Sequence, residues 1–194
     1  MDKKFYKIVK PIVNLFIRVF FRPTIIGLDN IPKDKSCVIA GNHTRWLDPV
    51  MLVGITNRQI HFLAKDSLFK GIVGAVVKGM GAIPVNRKIH DKDALINAKE
   101  CLKNNAVIGV FPEGTINRTN DIIMPFKIGA VKMSHDTNSY LVPFVITGKY
   151  KLFRKGIKIE FLKKMKISKD LGKENKKLEK LISNKLESAN NEKR

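Results

Sequence analysis

The chain has 194 residues, which is enough for one domain with a sizeable buried core. Its 37 Lys and Arg residues outnumber 17 Asp and Glu residues, and the net charge of +20 attracts polyanions. The partner could be nucleic acid, anionic lipid or a phosphorylated substrate, or the basic surface could serve solubility alone. Cys37 and Cys101 are widely separated and form no C-x-x-C pair, so no zinc site is expected.

Residues 1–22 predict an amphipathic helix. Its narrow polar stripe consists of residues three or four positions apart, namely Lys3, Lys7, Lys10, Asn14, Arg18 and Arg22. The apolar run beside the stripe is shorter than the roughly 20 residues of a membrane span, and it lacks the cleavage site of a signal peptide. The pattern therefore favours a helix lying in the membrane interface. Packing on the protein's own core is the alternative, and the two can coexist.

Short apolar runs and helical patterns alternate along residues 23–194, which we interpret as one domain. The predicted strands are Thr24–Leu28, Cys37–Ala40, Ile60–Ala64, Ala82–Val85, Val107–Phe111, Tyr140–Ile146 and Ile157–Phe161. The predicted helices are Pro49–Thr56, Ser67–Gly79, Asp91–Asn104, Phe126–Ser134 and a basic, solvated helix at Lys173–Leu186. This alternation predicts a layered α/β fold with a mixed, largely parallel central sheet flanked by helices.

The first candidate for chemistry is a histidine and an aspartate five residues apart, His43 and Asp48, which follow a buried strand. On a regular helix five residues turn through about 500°, which would leave these side chains about 140° apart. They can meet only across a loop, and Asp48-Pro49 is a helix-start signal with the aspartate as cap. A carboxylate that orients a neutral imidazole makes a general base. Alternatively, Asp48 only caps its helix and His43 only binds backbone.

Of three further stretches, two place a charged residue just past a predicted strand, and the third places a proline within a strand. They are Ile83–Arg87, Phe111–Thr115 and Val142-Pro143-Phe144. Any one of them alone could be an ordinary turn. In open α/β sheets, however, active sites gather at the carboxyl ends of the strands, so we expect these residues to lie near His43.

These segments together resemble the 1-acyl-sn-glycerol-3-phosphate acyltransferase family, within the wider glycerolipid acyltransferases. The resemblance extends from about Ile25 to Phe161. The family's N-H-x(4)-D, arginine-ended, F-P-E-G-T and hydrophobic-Pro blocks correspond in order to Asn42-His43 with Asp48, Ile83–Arg87, Phe111–Thr115 and Val142-Pro143-Phe144. The ordered set is far more specific than H-x(4)-D alone.

The resemblance implies a role for each matching residue. His43 would be the base that acts on the acceptor hydroxyl, and Asp48 would hold its tautomer and stabilise the imidazolium. Arg87 would bind the acceptor phosphate, because a guanidinium fork suits that group. Lys65 matches a family lysine that also faces phosphate. Arg45, within the His–Asp loop, either adds a phosphate contact or faces solvent.

The F-P-E-G-T block is implied to shape the glycerol site through Glu113, Gly114 and Thr115. The chain departs from the family pattern directly after this block, where Ile116 stands in place of a common arginine. Arg118, two residues further on, is the expected replacement in substrate binding.

The resemblance implies a 1-acylglycerol-3-phosphate O-acyltransferase that makes phosphatidic acid for phospholipid biosynthesis. The acyl donor would be acyl-CoA or acyl-carrier protein, and since a thioester is already activated, neither a metal nor a cofactor is expected. The acceptor could instead be glycerol 3-phosphate or another lysolipid, and a non-catalytic binder of anionic lipid or nucleic acid is the alternative from another class. The expected partners are lysophosphatidic acid and an anionic bilayer surface, with no nucleic acid. We expect a bacterial protein attached peripherally to the cytoplasmic face of the cell membrane.

Overall fold

A computed structural model describes residues 3–86, 89 and 91–191. The helices are α1 (Lys3–Phe20), α2 (Asp48–Ile55), α3 (Gly71–Gly79), α4 (Lys92–Lys103), α5 (Gly129–Asp136) and α6 (Leu171–Asn191). The strands are β1 (Thr24–Ile26), β2 (Cys37–Gly41), β3 (Ile60–Lys65), β4 (Ile83–Val85), β5 (Val107–Val110), β6 (Tyr140–Gly148) and β7 (Ile157–Phe161).

The seven strands form one sheet in the order β1-β7-β6-β2-β5-β3-β4. Neighbouring strands are parallel except β6 and β7, which are antiparallel. Strands β6, β2, β5, β3 and β4 consequently end at the same edge, where parallel α/β sheets collect their functional residues. The predicted mixed, largely parallel α/β architecture is confirmed.

The sheet is covered on both faces, and the central strand β2 is buried along its whole length. Its alternate residues Cys37 and Ile39 face the core under α1 and α2, whereas Val38 and Ala40 face the core under α4, α5 and α6. A strand with helices on both faces must be apolar throughout, which explains why this segment lacks polar alternation.

Three predicted helices differ from the observed ones. The segment predicted as Ser67–Gly79 divides into a 3-10 turn at Asp66–Phe69 and α3, and at their junction Gly71 has a positive φ of 61°. Helix α5 begins three residues later than predicted, at Gly129. The carboxy-terminal helix is longer than predicted, and it buries its apolar stripe of Leu178, Ile182 and Leu186 against the sheet.

Helix α1 continues through Pro11 and packs on α2 at very close range. The contact depends on Gly54, because a Cβ atom there would lie 2.3 Å from Ile17 Cδ1. Asn14 also donates a hydrogen bond of 2.5 Å to the carbonyl of Gly54. Packing on the core, one of the two expectations for this helix, is therefore observed for its inner face.

The outer face of α1 is apolar and exposed. Ile8, Ile12 and Leu15 are each more than 60% exposed, and Phe16 and Val19 continue the same face. No helix in the described part of the chain is both long and apolar enough to cross a membrane.

Candidate active site

His43 and Asp48 meet at the carboxyl end of the central strand. His43 lies two residues beyond the end of β2, and Asp48 is the first residue of α2. His43 Nδ1 lies 2.9 Å from Asp48 Oδ2, and the two residues are 8% and 0% exposed. Thr44–Leu47 form the loop that brings them together, as the five-residue spacing requires.

Asp48 holds this loop and does not cap α2. The residue before the helix is Leu47, and α2 has no side-chain cap. The Asp48 carboxylate instead accepts the backbone N–H groups of Thr44 at 2.6 Å and Arg45 at 2.8 Å. The expectation of a capping aspartate is therefore wrong, because the buried imidazole and the loop amides occupy its oxygens.

The hydrogen bonds assign the tautomer of the neutral imidazole. Since the Asp48 carboxylate can only accept, His43 Nδ1 carries the proton and donates it. His43 Nε2 is then left with a lone pair, which is what a general base needs. The ring also stacks on Phe111, with centroids 4.0 Å apart and planes inclined by 16°. Phe111 in turn packs on Phe62 and Phe144, so the imidazole plane rests on the core.

Glu113 supports His43 through the backbone. One carboxylate oxygen accepts the N–H of His43 at 2.8 Å, and the other accepts the N–H of Met124 at 2.9 Å. Glu113 is buried, and this burial raises the pKa of its carboxyl, against the opposing effect of the two N–H donors and His43. Both oxygens therefore serve to hold two loops around the site.

A cavity of about 390 Å³ opens beside His43. Its described lining consists of Asn42, His43, Thr44, Arg45, Glu113, Asn117, Thr119, Asp121, Ile122, Gly148, Lys149 and Tyr150. Arg45 and Lys149 supply positive charge to this lining, and Glu113 and Asp121 supply negative charge. An anionic group that entered the cavity would therefore lie close to both a base and cations.

The other predicted site residues that the structure describes do not line the cavity together with His43. Gly114 adopts a positive φ of 76° next to Glu113, and a Cβ atom there would lie 2.8 Å from Lys127 Nζ. Lys65 ends β3 at the active edge of the sheet. Lys65, Thr115 and Arg118 are exposed and are not among the described residues that line the cavity.

Arg87, the predicted phosphate ligand, lies outside the described residues, as does His90. The neighbouring strand β4 ends at Val85, at the same edge as β2 and β3. His61 lies in β3, where its Nδ1 is 2.7 Å from the Gly81 carbonyl oxygen and burial lowers its pKa. In the described part of the chain, no group of three or more His, Cys, Asp or Glu residues could hold a metal ion.

The sequence did not reveal several residues of the site. Tyr150 and Lys149 follow the carboxyl end of β6, so the strand-end rule that selected the other segments would have found them. Asn42 was noted only as part of a motif, yet it pairs with both backbone groups of Ile146 and fastens β2 to β6. Thr44 was not singled out, and its hydroxyl lies 3.2 Å from Asp48 Oδ1.

Comparisons with known proteins agree with this geometry. A family model described as acyltransferase matches residues 22–147. The 1-acyl-sn-glycerol-3-phosphate acyltransferase of Bacillus subtilis (strain 168) is 36% identical over 137 residues, which is 68% of this chain and 67% of that protein. The protein of the same name from Borreliella burgdorferi is 34% identical over 136 residues, which is 69% of this chain but only 54% of the relative.

The fold has a solved counterpart. The crystal structure of the 1-acyl-sn-glycerophosphate (LPA) acyltransferase PlsC from Thermotoga maritima has a TM-score of 0.75 and covers 95% of this chain and 81% of its own. At 20% identity this likeness concerns the fold alone. The family model and the Bacillus relative go further, because each matches about two thirds of the chain. The chain belongs to the acyltransferase family, together with bacterial proteins named 1-acyl-sn-glycerol-3-phosphate acyltransferase.

Proposed function

We propose that this acyltransferase moves a fatty acyl group from an acyl thioester to the free hydroxyl of 1-acyl-glycerol 3-phosphate, which yields phosphatidic acid. The observation that carries the proposal is the buried His43–Asp48 pair at a cavity whose lining includes the cations Arg45 and Lys149. The acceptor is the substrate in the names of the Bacillus and Borreliella relatives. Its hydroxyl suits the His43–Asp48 pair, and its phosphate suits the cations Arg45 and Lys149.

The proposed reaction is a proton transfer coupled to acyl transfer. His43 Nε2 takes the proton of the acceptor hydroxyl while the oxygen attacks the thioester carbonyl carbon. Asp48, hydrogen-bonded to Nδ1, stabilises the imidazolium that forms. The tetrahedral oxyanion then collapses, the C–S bond breaks, and the thiolate takes the proton back from His43. Every bond is accounted for by the two substrates and one side chain, so we propose that the enzyme needs no cofactor.

The phosphate of the acceptor needs cations beside the base. Arg45 and Lys149 line the cavity and offer this charge. Arg87 is retained as a ligand on the family pattern alone, and Lys65 and Arg118 lie on loops or strand ends outside the cavity lining. An arginine can bind two phosphate oxygens at once, which would orient the glycerol hydroxyl towards His43.

We further propose that α1 attaches the enzyme to an anionic bilayer at the cytoplasmic face of the cell membrane, where acyl thioesters are available. Its exposed apolar face, which begins at Ile8 and ends at Val19, suits the acyl region. Lys7 and Arg18 are exposed on the same helix and suit anionic headgroups. Trp46, 71% exposed in the loop between His43 and Asp48, would carry the attachment to the entrance of the site.

An acyl-transfer assay tests the acceptor and the donor. The purified chain is given radiolabelled acyl-CoA or acyl-carrier protein with lysophosphatidic acid, glycerol 3-phosphate or other lysolipids, and the products are separated by thin-layer chromatography. We expect phosphatidic acid from lysophosphatidic acid, formed about 10²- to 10⁴-fold more slowly by His43→Ala. Turnover of another acceptor with lysophosphatidic acid inert would overturn the proposed substrate.

A flotation assay tests the membrane surface. The double variant Ile12→Asp with Leu15→Asp places two charges on the outer face of α1. We expect it to lose at least tenfold in affinity for phosphatidylglycerol-containing vesicles, because burying an isoleucine or leucine contributes about 1.5–3 kcal/mol. Ile96→Asp is the matched control, since Ile96 is 53% exposed on α4, on the other face of the sheet. Equal flotation of the wild type, the double variant and Ile96→Asp would refute the attachment through α1.

A further inference from the structure

The turn after β6 brings a tyrosine to the buried carboxylate. Tyr150 lies two residues beyond the end of β6, and its hydroxyl donates to Asp48 Oδ1 at 2.5 Å. His43 Nδ1 donates to the other oxygen, Oδ2, at 2.9 Å. Oδ2 also accepts the N–H groups of Thr44 at 2.6 Å and Arg45 at 2.8 Å, whereas Tyr150 is the nearest donor to Oδ1. The phenol therefore fixes the second oxygen of this fully buried carboxylate, and with it the plane of the group.

The phenol remains a donor at any pH at which the enzyme works. Burial raises the pKa of Tyr150, and the charge of Asp48 and its hydrogen bond raise it further, whereas Arg45 has a smaller opposing effect. A neutral phenol beside a carboxylate donates its proton to the hydrogen bond and does not compete with His43 for the role of base.

The tyrosine ring is itself held by the carboxyl end of α1. Phe21 meets the ring of Tyr150 edge to face, with centroids 5.7 Å apart and planes inclined by 87°. Beside this pair, Phe20 packs on Phe153 at 5.0 Å, and the N–H of Phe153 donates to the Phe20 carbonyl at 2.5 Å. The end of the proposed membrane helix is thus fastened to the turn that carries Tyr150.

The path of this turn is fixed by its first residue. Gly148 has a positive φ of 92°, and a Cβ atom there would lie 1.9 Å from the Gly156 carbonyl oxygen. The next residue, Lys149, donates its N–H to that same carbonyl at 2.9 Å. Tyr150 therefore leaves the sheet in a defined direction, towards the start of α2.

We propose that Tyr150 is a positioning residue for acyl transfer, which holds Asp48 so that His43 presents Nε2 to the acceptor and which links the base to the end of α1. The inference rests on the reaction proposed above. Without the phenol, Asp48 Oδ1 would keep only the Thr44 hydroxyl, at 3.2 Å. The carboxylate would then be held mainly through Oδ2, by the N–H groups of Thr44 and Arg45 and by His43. It could pivot about that oxygen, and the imidazole bonded to it would lose its fixed orientation.

The first test compares two tyrosines of the same strand region. Tyr150→Phe keeps the ring but removes the hydroxyl, and Tyr140→Phe makes the same change at the start of β6, at the opposite edge of the sheet. For Tyr150→Phe we expect kcat to fall about 10- to 100-fold, since small misplacements of reacting groups have effects of this size. The acceptor KM should change less than about twofold. Tyr140→Phe should match the wild type in both.

The pH profile separates positioning from a loss of folding. The described charged groups that contact His43 or line its cavity are Asp48, Glu113, Arg45, Lys149 and Asp121. The Tyr150 hydroxyl stabilises the Asp48 charge by a hydrogen bond. A carboxylate with one donor fewer stabilises the imidazolium more strongly, so the acidic limb of kcat/KM should move to higher pH in Tyr150→Phe. A merely structural defect would lower the active fraction and leave the limb in place.

A proton NMR measurement reports on the hydrogen bond of His43 without turnover. The imidazole Nδ1–H signal of His43, assigned by its loss in His43→Ala, should shift in Tyr150→Phe and stay unchanged in Tyr140→Phe. Should Tyr150→Phe prove unstable, Phe21→Leu keeps the hydroxyl but loosens the ring, and a smaller shift in the same direction is expected. If wild type transfers no acyl group to any acceptor, the proposed reaction fails while this signal still reports on positioning. An unmoved signal, a normal kcat in Tyr150→Phe alongside active wild type, or a raised KM alone would overturn the inference.

Discussion

Replacing Glu113 by glutamine tests how the site is supported. The carboxylate accepts two backbone N–H groups, from His43 at 2.8 Å and from Met124 at 2.9 Å, in a buried position. Glutamine has nearly the same shape but only one acceptor oxygen. Whichever way the amide lies in Glu113→Gln, its NH₂ group faces one of the two backbone donors.

The expected loss of stability in Glu113→Gln follows from this one unpaired N–H group. A buried donor left without an acceptor costs about 1–3 kcal/mol. In a domain of this length each kcal/mol lowers the melting temperature by about 2–4 °C, so we expect a fall of about 2–12 °C. Activity should fall as well, because the backbone of the base itself loses its anchor when the amide faces His43.

Thermal unfolding at pH 7 with a matched substitution measures this effect. Glu179→Gln is the control, since Glu179 accepts a single N–H, that of Phe126 at 2.8 Å, which a glutamine oxygen can still accept. We expect the control to melt close to the wild type. If Glu113→Gln were as stable as Glu179→Gln, the two-acceptor role of Glu113 would be refuted.

The difference in stability between wild type and Glu113→Gln should change with pH in one direction. Burial raises the pKa of Glu113 above its ordinary value of 4.5. A group whose pKa is raised on folding stabilises the fold below its unfolded pKa, and this contribution is lost as the pH rises through the raised value. The difference in unfolding free energy between wild type and Glu113→Gln should therefore narrow as the pH rises above about 4.5.

Three further outcomes are expected. His43→Ala should lower kcat about 10²- to 10⁴-fold without unfolding the chain, as measured by initial rates and circular dichroism, because a general base contributes that much. Arg87→Ala should mainly raise the acceptor KM, and an unchanged KM would remove its role in phosphate binding. Cys37 should resist iodoacetamide at pH 8 until the chain is unfolded in urea, as followed by mass spectrometry, because burial raises its thiol pKa to about 12 and leaves only about 1 in 10⁴ thiols ionised.

The fold was accessible from the sequence because its signals are local. Apolar runs such as Cys37–Ala40 are strands between helices, and their alternation with helical periods dictates the layered sheet. The ends and the packing of helices were harder to predict where they depend on one residue or on distant contacts. Gly71, at the junction of the 3-10 turn and α3, divides a segment that reads as continuous helix. The apolar stripe of the last helix, which includes Leu178, gave no sign of whether it faces solvent or the sheet.

The site was accessible only in part, for a related reason. The spacing of His43 and Asp48 allowed these side chains to meet only across a loop, and in the structure they do meet in this way. The supports of this pair come from far along the chain: Glu113 is 70 residues from His43, and Tyr150 is 102 residues from Asp48. Neither separation leaves a periodic signal. A motif shows that a glutamate follows a strand, but it does not show which backbone group that glutamate will bind.

Strand register explains how such distant residues come to meet. Strands β2 and β6 run parallel with Gly41 opposite Phe144. Asp48 lies seven residues beyond Gly41, and Tyr150 lies six residues beyond Phe144. The two segments that follow this pair are therefore nearly equal in length. Asn42 fixes this register, because its side chain pairs with both backbone groups of Ile146. A register shift of two residues would move the tyrosine hydroxyl about 7 Å along the strand, too far to reach the carboxylate. Asn42, the residue next to His43, therefore sets the alignment on which the Tyr150–Asp48 contact depends.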